Sequence, residues 1–331
     1  MMKELLKKLT EVYGPSGNEE VIRDVIRQEI EGFVDEMRVD TLGNLIAIRR
    51  GRGKKVMLAA HMDQIGFMVT HIDEKGFLRF TRVGGISVGN SINRRVIFKN
   101  GVTGVISYEG EITDIRDIKF ERMYIDIGAS GQQQAESMVS IGDVAVYHST
   151  FSENSGRYVG KAMDDRAGCA LLIETAKRLQ SSPHEIYFVF TVQEELGVRG
   201  AKTAAYALDP DIGIAVDVTL TGDTPKSRPM AVKLGGGPAI KVRDVSMLAH
   251  PRVRSLMVSR AQEAGIPYQM EILETGGTDA GAIHLTREGI PSGVLSIPCR
   301  YVHSDSEMVD ASDMENGVKL MLHILEGEIE I

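Results

Sequence analysis

Five short acidic or histidine-bearing motifs sit beside apolar, strand-like runs of this chain. His61-Met62-Asp63 follows VMLAA, Glu194-Glu195 follows YFVFTV, Asp217 follows IGIAV, and His303 comes shortly after GVLSIP. Asp164-Asp165 stands instead before a helical pattern. Ionisable groups at the exits of buried strands are costly unless they pair or bind metal. Their recurrence implies one polar site assembled from distant segments. Two imidazoles and several carboxylates are a ligand set for two divalent cations.

Each motif alone also has a bland reading. His61 and Asp63 face the same way if the strand continues, so His61 could ligate while Asp63 orients it. By itself the pair is a solvated loop. In Asp164-Asp165-Arg166-Ala167-Gly168, Asp164 could bridge two metals while Arg166 neutralises Asp165. By itself this is an acidic helix start, where the amide ends favour an anion. Glu194 and Glu195 repel unless something positive is near. One could ligate while the other takes a proton from water held by the metal. The alternative is a solvated surface pair. Asp217 is a carboxylate ligand or a strand-end cap, and His303 a second imidazole or a satisfied loop histidine. Together they make two similar half-sites, His61 with Asp164 and Asp217, and Asp164 with Glu195 and His303. Such sites hold ions roughly 3.5–4 Å apart, polarise a carbonyl and generate hydroxide. His71, His148, His184, His250, His284 and His323 lack such a setting and receive no chemistry.

The elements that must position these groups follow from periodicity. Leu5, Leu6, Leu9, Val12 and Tyr13 recur at helical spacing, and Gly14-Pro15 stops that helix. Ser16-Gly17-Asn18-Glu19 reads as a capping box for a second helix carrying Val21, Ile22, Val25, Ile26 and Ile30. Strands are expected at 44–48 and 56–60. From about 70 to 158 glycine is frequent and helical periodicity disappears. Asn100-Gly101 between RRVIF and VTGVIS signals a hairpin, and FLRFTRV, MYIDIG and DVAVYHS are further short strands. This block reads as an all-β, barrel-like module.

An αβ rhythm then resumes, with strands at 186–192, 212–216, 268–273 and 293–297. Helices are expected at 167–179, 201–207, 251–264, 279–287 and 312–325, the last opening on Ser312-x-x-Glu315. Alternation of this kind predicts a three-layer αβα domain with a mainly parallel sheet covered on both faces. A chain of 331 residues is expected to form two domains. They are a discontinuous α/β domain over 1–69 and 159–331 and an inserted β-rich domain over 70–158. In such sheets ligands bind beyond the carboxyl ends of the strands, where His61, Glu194, Glu195, Asp217 and His303 fall.

Composition removes several function classes. A net charge of -8 without a basic run argues against nucleic acid. No run approaches the ~20 apolar residues of a membrane span, and the N-terminus lacks the apolar stretch of a signal peptide. Cys169 and Cys299 are too few and too distant for a disulfide framework, which favours reduced thiols and a cytoplasmic setting. The absence of Trp, with only 5% aromatics, disfavours a sugar-binding cleft. The 16 methionines read as core filler.

The order HMD, GKAMDDRAG, QEELGVRGA, AVDVT, GGTDAGAI and IPCRYVHSDSE resembles the tetrahedral (TET) aminopeptidases. These are cytosolic dinuclear metallopeptidases whose members have often been labelled endoglucanases. The resemblance spans essentially the whole chain, including Asp40-Thr41-Leu42-Gly43-Asn44 and the VGG that begins at Val83. It implies that Asp164 bridges two metals. His61 and Asp217 would complete one half-site and Glu195 and His303 the other, with the division of Glu195 and Asp217 between the metals left open. Glu194 would be general base and acid, and Asp63 would orient His61. The metals would be Zn or Co, with Mn also compatible with imidazole and carboxylate. The inserted β module would be a dimerisation domain, with dimers forming a hollow dodecamer that admits peptides and excludes folded proteins. One departure is Gln64, where the family often has Glu in HMDEIG. Gln is isosteric but uncharged, so tuning rather than loss of activity is expected.

The implied activity is removal of N-terminal residues from short peptides. One metal would bind the free amine, and a hydroxide between the metals would attack while Glu194 takes and then delivers the proton. A glycosidase would need two carboxylates and no metal, which leaves His61 and His303 without a task. A deacylase or carboxypeptidase would share the chemistry and differ in end-group recognition. A non-catalytic binding or assembly protein would have lost a ligand or the base, whereas every position here is filled. Gly276-Gly277-Thr278-Asp279 and 233–238 are candidate walls of the side-chain pocket, for which an apolar or broad preference is expected.

Overall fold

The structure, a computed structural model, describes residues 2–111, 114 and 117–331. Helices α1 (Met2–Glu11) and α2 (Glu20–Ile30) precede strands β1 (Glu36–Val39), β2 (Leu45–Arg49) and β3 (Lys55–His61). The chain then leaves the sheet through β4 (Gly66–Ile72), β5 (Leu78–Val83), α3 (Val88–Ser91), β6 (Arg95–Phe98), β7 (Thr103–Tyr108), β8 (Met123–Asp126), α4 (Gln132–Met138) and β9 (Val144–Tyr147). It returns by β10 (Ser152–Asn154), β11 (Arg157–Gly160), α5 (Met163–Arg178), β12 (Glu185–Thr191), α6 (Arg199–Leu208) and β13 (Ile212–Thr219). The last elements are β14 (Ala239–Arg243), α7 (Pro251–Glu263), β15 (Gln269–Ile272), α8 (Ala280–Ile283), β16 (Ser292–Arg300), β17 (Glu307–Asp310) and α9 (Ala311–Glu326).

The large sheet runs β1-β2-β12-β3-β13-β16-β17-β11-β10, with β14 and β15 branching from β16. Its centre, β12-β3-β13-β16, is parallel, and the flanking strands are antiparallel. The central strands are apolar on both faces because both are covered. Val56, Leu58 and Ala60 of β3 pack with α1, α2, α5, α7 and α9, while Met57 and Ala59 pack with Ala201, Ala204, Ala205 and Ile283 of α6 and α8. The α/β architecture read from periodicity is therefore present. The flanking strands β1, β10, β11 and β17 were not anticipated, since they are short and polar and carry little period-two signal.

Strands β4 to β9 close a separate antiparallel barrel, in the order β4-β5-β8-β7-β6-β9. Its first strand starts at Gly66, within the segment 1–69 assigned from sequence to the α/β part. Phe67, Phe80 and Tyr147 meet edge to face inside it, with centroids 5.2 Å apart from Phe67 in both pairs. Gly101, at φ 88°, turns the β6–β7 hairpin expected from Asn100-Gly101.

Two local expectations fail. α9 is capped by Asp310, which accepts from Ser312 N–H, while Glu315 pairs with Arg178 instead of closing a box with Ser312. α8 stops at Ile283, and Arg287, four residues on, takes a left-handed φ of 54°.

The Asp40-Asn44 motif is structural. Asp40 Oδ1 accepts from the amides of Leu42, Gly43 and Asn44, and its Oδ2 accepts from Asn44 Nδ2 at 2.6 Å. The buried Asn44 carries that order inward. It accepts from Val192 N–H at 3.0 Å and donates to Gly200 carbonyl at 3.0 Å, so it ties the exit of β12 to the start of α6. Asn44→Ala leaves the Val192 amide without its acceptor, while the Gly200 carbonyl keeps Thr203 Oγ1, and should lower stability by about 1–3 kcal/mol, read from the urea midpoint.

Candidate metal centre

The carboxyl ends of the central strands bring the expected residues to one place. His61 is the last residue of β3 and lies in register with Thr191, the last of β12, so Glu194 and Glu195 emerge beside it. Asp217 lies in β13, paired with Ser296 of β16. Asp164 enters from the first turn of α5, and His303 from the loop between β16 and β17.

Two groups of donor atoms form there, His61 with Asp164 and Asp217, and Asp164 with Glu195 and His303. His61 Nε2 lies 3.0 Å from Asp164 Oδ1, 3.8 Å from Asp217 Oδ1 and 4.0 Å from Glu194 Oε2. His303 Nε2 lies 3.2 Å from Asp164 Oδ2 and 3.1 Å from Glu195 Oε1. Asp164 thus offers one oxygen to each group. Each imidazole is oriented through its other nitrogen. His61 Nδ1 is 3.2 Å from the Asp63 carbonyl, and His303 Nδ1 is 2.7 Å from the Gly85 carbonyl. That leaves both Nε2 atoms for the cluster.

Asp63 does more than orient His61. Its Oδ1 accepts from Glu194 N–H at 3.0 Å, and its Oδ2 from Glu195 N–H at 3.3 Å and Ser16 Oγ at 2.6 Å. Ser16 and Glu19 therefore do not make the capping box read from sequence. Glu19 Oε1 accepts from Gly17 N–H and from Gln193 N–H at 3.2 Å, and α2 begins without a side-chain cap. The S-x-x-E pattern is spent on the β12 exit.

A second correction concerns Arg166. Its guanidinium donates to the carbonyls of Leu9, Val12 and Gly14, closing the end of α1, and makes no hydrogen bond or ion pair with Asp165. Asp165 Oδ1 accepts from Gly168 N–H at 2.9 Å, and its buried Oδ2 has no hydrogen-bond partner. A Cβ on Gly168 would lie 2.3 Å from that carboxylate, so the glycine of DDRAG is required by the close approach. A cis peptide joins Asp164 and Asp165.

Glu307 was missed at the sequence level. It is buried, and its two oxygens accept from His303 N–H at 2.7 Å and Asp164 N–H at 3.1 Å. One carboxylate thus fixes the backbone of two cluster residues. The only signal was its place in the VHSDSE motif. Several non-glycine residues near these segments take left-handed φ: Ala162, Gln193, Val198, Tyr301 and His303. Such conformations cost of order 1–3 kcal/mol each and persist where surrounding bonds enforce them.

The electrostatics are dominated by crowded acid. Burial would raise the Asp164 carboxyl, but hydrogen bonds from His303 and His61 hold it well below the usual range. Burial raises Glu194 and Asp217 well above it, with neighbouring carboxylates adding to the effect against the pull of His61. Burial would lower both imidazoles, yet their acidic partners hold His61 well above its usual value and push His303 up to about 12. Nearby buried cations are committed elsewhere, Arg166 to α1 and Lys241 to Glu271. Carboxyl groups in excess of imidazoles, with nitrogen and oxygen donors converging and no thiolate among them, fit divalent cations.

The cluster opens into a cleft of about 570 Å³ lined also by Gly85, Val198, Leu220, Gly277 and Val302. Gly276, Gly277 and Thr278 line it as expected, whereas Asp279 lies behind it, bonded to Thr191 Oγ1. Residues 233–238 do not line it. The amides of Gly235 and Gly237 are tied to Asp313, and those of Lys233 and Leu234 to Gln269 and Asp223.

A buried His-carboxylate cluster at the carboxyl ends of parallel strands, open to a cleft, has the build of a hydrolase active site. Residues 43–320 match the family described as M42 glutamyl aminopeptidase, and the chain belongs to that family of peptide-bond hydrolases. A lysyl aminopeptidase of Pyrococcus furiosus is 38% identical, over 98% of this chain and 96% of its own. An aminopeptidase of Desulfurococcus kamchatkensis matches the structure with a TM-score of 0.95 at 37% identity, over 98% of this chain and 94% of its own. The TET1 peptidase of Pyrococcus horikoshii, described as assembling into a tetrahedron or a large octahedral shell, matches with a TM-score of 0.88 at 35% identity, covering 98% and 99%. The resemblance read from the motifs is borne out.

Gln64 has a specific neighbour. Its Oε1 accepts from Lys161 Nζ at 3.0 Å, and its Nε2 donates to the Val12 carbonyl at 3.2 Å. With no carboxylate at position 64, burial lowers the Lys161 amine from 10.5 to about 7. Above that pH the unfolded chain holds a proton at Lys161 that the folded chain lacks, so this group adds stability as pH rises toward 10.5. Gln64→Glu should raise the Lys161 amine and flatten that rise relative to the unmodified protein. Urea midpoints across this pH window, compared between the two proteins, are the check.

Proposed function

We propose that the cluster is a two-metal centre that removes N-terminal residues from short peptides, with Glu194 as general base and acid. What carries this reading is the sharing of Asp164 between two groups, each completed by one imidazole and one further carboxylate. His61 and Asp217 would hold one ion and Glu195 and His303 the other, with Asp164 offering one oxygen to each. Divalent ions bound there, Zn or Co by the ligand set and Mn compatibly, would polarise the scissile carbonyl and lower the pKa of water.

Glu194 lines the cleft without being needed in either group. Its backbone is fixed by Asp63, so its carboxylate is free to take the proton of the attacking water and return it to the leaving amine. Asp63 and Glu307 are positioning residues, acting through His61 and through the Asp164 and His303 backbones. A free amine is the expected end group, placing the enzyme among aminopeptidases rather than deacylases or carboxypeptidases. The barrel would carry the dimer contact, and dimers would form a tetrahedral dodecamer in the cytoplasm. The assembly described for the Pyrococcus horikoshii relative supports this, and an enclosed shell would restrict substrates to short peptides.

The test is hydrolysis of aminoacyl p-nitroanilides with free and N-acetylated termini, on chelator-stripped enzyme and after restoring Co or Zn. Metal-restored cleavage of free termini alone is expected, and cleavage of blocked termini alone would replace the reading with a deacylase. Glu194→Gln should lower kcat by about 10²–10⁴-fold with metal content unchanged by elemental analysis. Glu307→Gln can satisfy only one of the two amides, and its metal affinity should fall by about 10–100-fold.

A further inference from the structure

A second cavity, of about 680 Å³, adjoins the cleft. The two share Leu220, Leu273 and Thr275, so they lie side by side. Its lining is mainly apolar and includes Met230 and, from β15, Met270 and Ile272. Leu220, Met270, Ile272 and Tyr301 are among the chain's exposed large apolar side chains, and all four line this cavity. Apolar surface left open in this concentrated way marks a site that something apolar covers. The charge pattern agrees. Arg300 is neutralised by both oxygens of Asp223, at 2.9 and 2.7 Å. Arg228 and Glu274, of opposite sign, are exposed. No buried, unpaired charge among the lining residues stands ready for a basic or acidic side chain, and burying one there without a partner is costly.

The position of the cavity assigns it to one end of the peptide. Glu194 must hand its proton to the leaving amine, so the second residue lies on the Glu194 side. Glu194, Gly197 and Val198 line the cleft but not the second cavity, which adjoins it at Leu220 and Leu273. The geometry points to this cavity as the pocket for the side chain of the N-terminal residue, selecting large apolar residues such as Leu, Met or Phe. The inference rests on the aminopeptidase reading above and extends it to the side chain recognised. It differs from the acidic and basic preferences in the names of the family and of the Pyrococcus furiosus relative.

The experiment compares kcat/KM for Leu, Met, Phe, Ala, Glu and Lys p-nitroanilides on the metal-loaded enzyme and two variants. Leu, Met or Phe should exceed Ala, Glu and Lys by about tenfold or more. Ile272→Lys, at an exposed wall position, should raise Glu relative to Leu by about tenfold. Met270→Glu is the mirror case and should favour Lys, so failure of one variant to fold leaves the other. A preference for Glu or Lys in the unmodified enzyme, a flat profile, or variants that scale all substrates equally would overturn the assignment. So would dipeptides in which Ala-Leu against Ala-Lys carries the selectivity and the first residue does not. Cleavage of the Ala substrate with no apolar preference defeats only this inference, whereas cleavage of no free-terminus substrate defeats the aminopeptidase reading with it.

Discussion

Asp164, Glu194, Glu195 and Asp217 crowd around two imidazoles, and like charges about 4 Å apart repel by about 4 kcal/mol at an effective dielectric near 20. Left to themselves these side chains would turn toward water. What prevents this is the fully buried Asp63. Its carboxylate gathers the amides of Glu194 and Glu195 and the hydroxyl of Ser16, while its residue also holds His61. A carboxylate with this many donors is held below its usual range despite burial, with His61 contributing most of the compensation. The exit of β3, the exit of β12 and the loop after α1 are thereby registered on one group.

The buried acids divide by task. Asp63, Glu307 and Glu19 spend oxygens on backbone amides, and Asp164, Glu195 and Asp217 turn theirs toward one another. The first set enforces backbone conformations the chain would otherwise avoid. Glu19 holds Gln193 and Glu307 holds His303, both at left-handed φ. β-Branched Val198, also left-handed, is held through its amide to the Glu194 carbonyl at 2.9 Å. Charge repulsion is thus met by Asp63 and strain by Glu19 and Glu307, which gives this region little freedom to relax.

That division explains what could be read in the sequence. Residues that face the cluster were legible because an ionisable group after a buried strand is anomalous in its local context. The parallel core of the sheet was legible because two-sided burial writes an apolar run. The supporting acids were not, because their partners are amides far away in sequence. Ser16-x-x-Glu19 has the local grammar of a helix cap, and tertiary bonds to Asp63 and Gln193 override it. Arg166 beside two aspartates suggested local neutralisation, yet its length lets it reach the last carbonyls of α1. Polar flanking strands such as Glu307–Asp310 follow from pairing with a neighbour and carry no periodic signal of their own.

The barrel has its own core, but it is not independent of the centre. The Gly85 carbonyl, just after β5, fixes the Nδ1 side of His303, and Asn90 of α3 donates to the His303 carbonyl at 3.2 Å. Gly85 must be glycine for this, since a Cβ there would lie 2.9 Å from His303 Nδ1. The α/β part supplies the remaining restraint on the same residue through Glu307. His303 is therefore held between two separately packed bodies, and a small displacement of one against the other would move its Nε2 relative to Asp164 and Glu195. The other imidazole, His61, is held by Asp63 on the short link that joins β3 to the barrel strand β4.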